Sequence, residues 1–162
     1  MENFMNISNT NKYLTLLLLF LASSINSNLI TLKTKAFTGA YGGTGGSYFN
    51  DGLSSNINEV LIGHGTYIDS IQTSTSNFRN KKHGGSGGTL YRWSVPPGHC
   101  ITTIWVRSGA YVDSLQFKTD KGAVSPKFGG DGGNFYEVNL QGCLKGIYGR
   151  SGAYVDQIGF YY

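Results

Sequence analysis

A short loop, Gly-x-x-x-Asp, occurs three times: Gly65-Thr66-Tyr67-Ile68-Asp69, Gly109-Ala110-Tyr111-Val112-Asp113 and Gly152-Ala153-Tyr154-Val155-Asp156. The last two sit inside an identical longer run, Arg107 to Asp113 and Arg150 to Asp156. A glycine in such a loop relaxes the backbone, so that the amides of Ala153 and Tyr154 can turn outward. The carboxylate of Asp156 then shares a small space with them and offers two acceptor oxygens. Vicinal hydroxyls, each able to donate and accept, fit that arrangement, and bonds to a carboxylate are the stronger, charge-assisted kind. Tyr154 adds an apolar ring face and a hydroxyl.

Each loop has a companion. Glycine blocks at Gly42-Gly43-Thr44-Gly45-Gly46, Gly84-Gly85-Ser86-Gly87-Gly88 and Gly129-Gly130-Asp131-Gly132-Gly133 precede the three aspartates by 27, 29 and 27 residues. The aspartates are 44 and 43 residues apart. One supersecondary unit is therefore used three times.

The elements between the loops read as strands. The runs 47–49, 89–91 and 134–136 each leave a glycine block with bulky residues. Turn signals follow at Asn50-Asp51-Gly52 and Pro96-Pro97-Gly98, and a weaker one at Gln141-Gly142. β-branched and aromatic runs at 57–62, 101–106 and 144–148 lead into the aspartate loops, and strands at 70–75, 114–119 and 157–162 lead out. Residues 36–41 are expected to open the domain as a strand, and 71–76 is unusually polar for one. About four strands per repeat and no convincing helix imply an all-β fold with threefold pseudosymmetry. A single repeat cannot cover both faces of its sheet. Three four-stranded sheets around one axis can, as a three-sided β-prism, and a β-trefoil is the alternative.

Residues 1–27 differ in composition. An apolar run, Leu14 to Ala22, follows Lys12 and precedes Ser23, Ser24 and Ser27. It is shorter than the roughly 20 residues needed to span a bilayer and fits a secretory signal peptide. Residues 28–35 are a lead-in, and 36–162 the domain. A secreted protein, extracellular or granule-stored, is expected, with no transmembrane segment. Cys100 and Cys143 stand at equivalent places in the second and third copies. In a secreted chain they suggest a disulfide, with two separately buried thiols as the alternative.

Other chemistry is poorly supported. A glycosidase needs two carboxylates about 5–9.5 Å apart, whereas a threefold arrangement distributes these aspartates. His64, His83 and His99 have no evident nucleophile to serve. The glycine blocks lack the Gly-Lys-Ser/Thr ending of a phosphate loop and are too far apart for a tandem calcium repeat. No enzyme, metal or cofactor is expected. The net charge of +4 is mild, and no nucleic-acid module accompanies it. Its sharpest cluster, Arg79-Asn80-Lys81-Lys82-His83, leaves an anionic glycan or lipid head group as the alternative partner, for a matrix or antimicrobial protein.

The run Gly42 to Phe49 and the ending Gly149 to Phe160 resemble the jacalin-related lectins, including their animal secretory-granule members. The resemblance covers residues 36–162. It implies a β-prism I fold, no catalysis, and binding of mannose or glucose, or of galactose in a branch cut ahead of the glycine loop. Ala40-Tyr41 runs uncut into Gly42 here, which matches the mannose-type branch. It also implies a primary site of Gly46, Gly152, Ala153, Tyr154 and Asp156. A second would join Gly88 to Gly65, Thr66, Tyr67 and Asp69. The same motif remains in a third set, Gly133 with Gly109, Ala110, Tyr111 and Asp113. Self-association is left open. The cysteine pair and the polar 71–76 run depart from the family pattern.

Overall fold

The structure, a computed structural model, describes residues 36–162. The signal-peptide and lead-in expectations fall on residues outside that range. Twelve strands follow one another with no helix among the described residues. They are β1 (Tyr41–Gly42), β2 (Ser47–Asn50), β3 (Glu59–His64), β4 (Ile68–Ser74), β5 (His83–Gly84), β6 (Thr89–Ser94), β7 (Ile101–Ser108), β8 (Val112–Thr119), β9 (Phe128–Gly129), β10 (Asn134–Asn139), β11 (Gly146–Ser151) and β12 (Val155–Tyr161).

These form three four-stranded antiparallel sheets, ordered β1-β12-β11-β2, β5-β4-β3-β6 and β10-β7-β8-β9. Every sheet has one plan. A long hairpin carries the aspartate loop at its tip, and the strands flanking a glycine block pair with its two outer edges. In two sheets the block follows the hairpin in the chain. In the third, β1 and β2 come from the beginning of the domain and pair with β11 and β12 at its end. The first glycine block therefore belongs with the last aspartate loop.

The inward face of each sheet supplies the core. Ile62, Ile71, Ile104, Leu115, Phe117, Phe128, Ile147, Ile158 and Phe160 are all fully or nearly fully buried. Rings also tie sheet to sheet: Trp93 of β6 stacks on Phe117 of β8 with centroids 5.9 Å apart. The opening strand is shorter than 36–41. Phe37 makes only an isolated bridge to Tyr161, and ladder pairing begins at Tyr41, after exposed Gly39 and Ala40.

The polar run forms a strand as far as Ser74, where β4 ends. In β4, Thr73 and Ser74 are buried, and the neighbouring loop satisfies the polar groups of Thr73. Asn80 donates its side-chain amide to Thr73 Oγ1 (2.9 Å) and its backbone N–H to the Thr73 carbonyl (3.0 Å). The Thr73 hydroxyl donates to Asp51 Oδ2 (3.4 Å), and Asp51 Oδ1 meets His83 Nε2 at 2.7 Å. The His83 ring lies flat on Phe49, centroids 4.0 Å apart. A partnered polar network thus fills the seam along this polar strand, as buried polar groups require. It also breaks up the basic cluster. Asn80 and His83 turn inward, Arg79 pairs with Glu59 (3.2 Å), and Lys82 Nζ donates to the Gly85 carbonyl (2.9 Å).

Cys100 and Cys143 are bonded, with Cα atoms 5.4 Å apart. Backbone bonds explain how threefold-related positions come so close. The Leu144 N–H donates to the Ile101 carbonyl (2.8 Å), and the Ile57 N–H to the Leu144 carbonyl (3.0 Å). The bond closes a loop of 43 residues in sequence. Replacing both cysteines by serine should cost about 4 kcal/mol in the chain-entropy model. Urea denaturation of the double variant checks this, and non-reduced peptide mapping of protein purified without reductant checks the pairing.

Candidate functional site

Each hairpin carries a β-bulge at the same place. In the last sheet Arg150 faces Gln157 while Ser151 faces Val155, which leaves Asp156 as the extra residue. Asp113 is the extra residue between the Arg107–Ser114 and Ser108–Val112 pairs, and Asp69 between Gly63–Ser70 and His64–Ile68. A bulge re-aims a side chain that strict alternation would point elsewhere. Here it buries the aspartate beside its already buried neighbour: Val155 and Asp156, Val112 and Asp113, Ile68 and Asp69 are all buried.

The bulged aspartates press against the glycine blocks. The second glycine of each block donates its N–H to the backbone carbonyl of its aspartate: Gly43 to Asp156 (2.8 Å), Gly85 to Asp69 (2.8 Å) and Gly130 to Asp113 (2.9 Å). A Cβ at Gly45 would overlap Asp156 Oδ1, and one at Gly46 would lie 2.6 Å from Oδ2. Gly88 stands in the same relation to Asp69, and Gly133 to Asp113, each at 2.5 Å. Gly46, Gly88 and Gly133 have φ of +64°, +70° and +63°, which L-residues resist. The structure thus brings together all three sets of residues read from the sequence, each as its own pocket.

The sequence reading misplaced one glycine effect. Gly152, Gly109 and Gly65 do not have positive φ; among the described residues that conformation belongs to the blocks, a few turns and Gly149 of β11. The aspartate loop is instead closed by its own backbone, with Gly152 N–H donating to the Tyr154 carbonyl (2.9 Å). Gly109 with Tyr111 (2.9 Å) and Gly65 with Tyr67 (3.1 Å) repeat it. This turn leaves the Ala153 and Tyr154 amides, and that of Gly46, without a backbone acceptor among the described residues.

The tyrosine rings have a different place from the one expected. Tyr67, Tyr111 and Tyr154 pack on one another, with centroids 5.2–5.4 Å apart. The three aspartate loops therefore meet at one end of the molecule, around the pseudo-threefold axis. Each loop also touches a neighbouring block: Cβ atoms at Gly43, Gly85 and Gly130 would run into the carbonyls of Ala110, Ala153 and Thr66. With its ring in that cluster, Tyr154 is positioned to offer its amide. Exposed Tyr48, two residues beyond Gly46, stands on the outer strand beside the block, with Leu90 and Phe135 at the matching positions.

Two polar atoms stand out. Oδ2 of Asp156 and Oδ2 of Asp113 are buried and have no hydrogen-bond partner. An orphaned buried acceptor costs about 1–3 kcal/mol, so it requires an explanation. In both pockets the unpaired oxygen lies against a block whose terminal glycine has a free amide. An acceptor and several donors converge there on one small space, as polyhydroxy recognition demands. Asp131 of the third block is separate from this feature. It is exposed and bonds Lys127, and that bond and charge, with Arg107 nearby, hold its carboxyl below the usual range.

Two residues that brace the glycine blocks escaped the sequence reading. Arg150 donates Nε–H to the Gly45 carbonyl (2.8 Å) and Nη2–H to the Gly46 carbonyl (2.7 Å). Arg107 bonds the carbonyls of Asp131, Gly132 and Gly133 in the same way (3.0–3.3 Å). The signal was available: an arginine six residues before the aspartate in two of three copies.

Comparison with known proteins agrees with this architecture. The family model described as a jacalin-like lectin domain matches residues 38–161. Zymogen granule membrane protein 16 of Rattus norvegicus is 31% identical over 126 residues, covering 75% of each chain. Jacalin-related lectin 36 of Arabidopsis thaliana is 30% identical over 131 residues, 72% of this chain but 28% of that longer protein. Among solved structures, Malaysian banana lectin superposes with a TM-score of 0.71 at 26% identity, over 79% of this chain and 96% of its own. Artocarpin complexed with methyl-α-mannose gives 0.73 at 22% identity, over 78% and 96%. The chain belongs to the jacalin-like lectin family and has its β-prism I fold.

Proposed function

We propose that the pocket of Gly46, Gly152, Ala153, Tyr154 and Asp156 binds a mannose or glucose residue of a glycan, and that residues 36–162 act as a secreted lectin. The observation that carries this is the buried, unpartnered Oδ2 of Asp156 beside the free amides of Gly46, Ala153 and Tyr154. Two hydroxyls of one hexose would donate to the carboxylate and accept from those amides.

Two further facts favour a mannose-type ligand. Ala40-Tyr41 stands directly before Gly42 in the sequence, the arrangement read above as matching the mannose-type branch. The solved pineapple lectin, at 26% identity and a TM-score of 0.70, is itself named a mannose-binding jacalin-related lectin. Secretion rests on residues 1–27, read as a signal peptide, and on relatives named for the zymogen granule. No helix among the described residues is long and apolar enough to cross a membrane. The anionic-surface alternative rests on the basic cluster, where Arg79 pairs with Glu59 and Lys82 bonds the Gly85 carbonyl while Lys81 and Lys82 stay exposed.

Calorimetry with methyl α-mannoside and methyl α-galactoside tests the reading. Binding of the mannoside in preference is expected. Binding of sulfated glycans alone, with no response to any neutral hexose, would reject it. A second variant probes the pocket itself. Gly45 does not need positive φ, so Gly45→Ala should fold, yet its methyl group would occupy the place of Asp156 Oδ1. The mannoside affinity of this pocket should fall by at least about tenfold.

A further inference from the structure

The three pockets share a plan, but the Asp69 pocket lacks a part that the other two have. The Arg150 guanidinium grips two consecutive carbonyls of its block, and Arg107 grips those of the third block. The matching residue in the first copy is Gly63. No side chain reaches the second block from there, and a Cβ at Gly63 would already lie 2.7 Å from Ser70 Oγ.

The grip has a directional consequence. A trans peptide is planar, so its C=O and N–H point to opposite sides. With the Gly45 carbonyl held by Arg150, the Gly46 N–H is fixed on the side away from the guanidinium. That amide belongs to the residue whose Cβ would lie 2.6 Å from Asp156 Oδ2. The Gly132 carbonyl, held by Arg107, fixes the Gly133 N–H in the same sense. Glycine blocks are intrinsically mobile, since each glycine has many conformations to lose. A planar two-pronged donor suppresses that freedom in a way that a single ammonium cannot.

A second difference points the same way. A Cβ at Gly152 would lie 3.6 Å from Gly46 Cα and 3.8 Å from Asp156 Oδ2, and at Gly109 the matching distances are 3.8 and 3.9 Å. At Gly65 nothing stands within 4 Å. The Asp69 loop is therefore more open toward its block. The adjoining residue also changes, from Ser151 and Ser108 to His64, whose Nδ1 accepts the Gly129 N–H (3.0 Å).

We propose that Arg150 and Arg107 are positioning residues that hold the Gly46 and Gly133 amides ready for a hexose hydroxyl. The chain accordingly has two working hexose sites, at Asp156 and Asp113, and none at Asp69. This rests on the carbohydrate reading of the Asp156 pocket, but the clamp itself is testable without sugar.

Amide ¹⁵N relaxation on the sugar-free secreted domain comes first. The Gly46 and Gly133 N–H vectors should be as rigid as ordered backbone, with order parameters of about 0.85, and Gly88 should be looser. Arg150→Gln should lower the Gly46 value below about 0.6 and leave Gly133 unchanged. Arg150→Lys should restore it only in part. Titration with methyl α-mannoside should then shift the Gly46 and Gly133 amides to saturation and leave Gly88 still. Arg150→Gln should weaken the Gly46 response by about tenfold without changing that of Gly133. A Gly46 amide equally rigid and equally responsive in Arg150→Gln would overturn the positioning role. Saturation of Gly88 at the affinity of Gly46 would overturn the count of two sites. If Arg150→Gln loosens Gly46 but no hexose shifts any amide, the clamp stands and the hexose assignment falls, together with the site count.

Discussion

Asp156→Asn should cost its pocket about ten- to a hundredfold in affinity for methyl α-mannoside. The substitution preserves side-chain shape but removes the charge and turns one acceptor into a donor. A hydrogen bond to a charged group is worth about 1.5–3 kcal/mol, which converts to that range. Calorimetry on the folded variant reads it, and unchanged affinity would move the site elsewhere. The same variant separates a binding carboxylate from a structural one. Asp156 Oδ2 has no partner within the protein, so losing its charge removes a desolvation cost and no protein contact. Thermal stability should hold or rise, as happens when a residue maintained for function is replaced. A structural aspartate would show the reverse, with lower stability and intact binding.

The largest stability effect is expected at Phe117→Ala, about 3–5 kcal/mol by the behaviour of buried aromatics. Phe117 is 1% exposed, stacks on Trp93 of the neighbouring sheet, and lies 6.4 Å from the ring of Phe128. Its removal opens a cavity in the wall shared by two sheets, where rigid strands cannot collapse to refill it. Urea unfolding gives the value. A loss below about 1 kcal/mol would mean that the core repacks freely, contrary to close-packed sheets around one axis.

The threefold plan was legible because repetition needs no structural knowledge to detect. Three glycine blocks and three aspartates at matched spacing, with turn signals such as Asn50-Asp51-Gly52, were enough to place the strands. The Gly52 turn does form, with its N–H donating to Asn50 Oδ1 at 2.7 Å. What stayed hidden depends on pairing across the chain. The bulge at Asp156 is a register shift between two strands, and neither strand shows it alone. Arg150 acts on carbonyls more than 100 residues away in sequence. The polarity of 71–76 looked like a weakness because its partners, Asn80 and Asp51, lie in other segments. Tyr154 was assigned a sugar-facing ring because nothing local reveals that the same residue arrives twice more at the axis. The disulfide was suggested by equivalent positions, but only the backbone bonds around Leu144 show why those positions approach.

The proposed site would hold one hexose between the first glycine block and the last aspartate loop. A crystal structure of residues 36–162 with methyl α-mannoside tests it most directly. Density is expected for one sugar with two hydroxyls on the Asp156 carboxylate and oxygens within hydrogen-bond reach of the Gly46, Ala153 and Tyr154 amides. A sugar ordered elsewhere on the surface, with the Asp156 pocket holding only solvent at a saturating concentration, would contradict it.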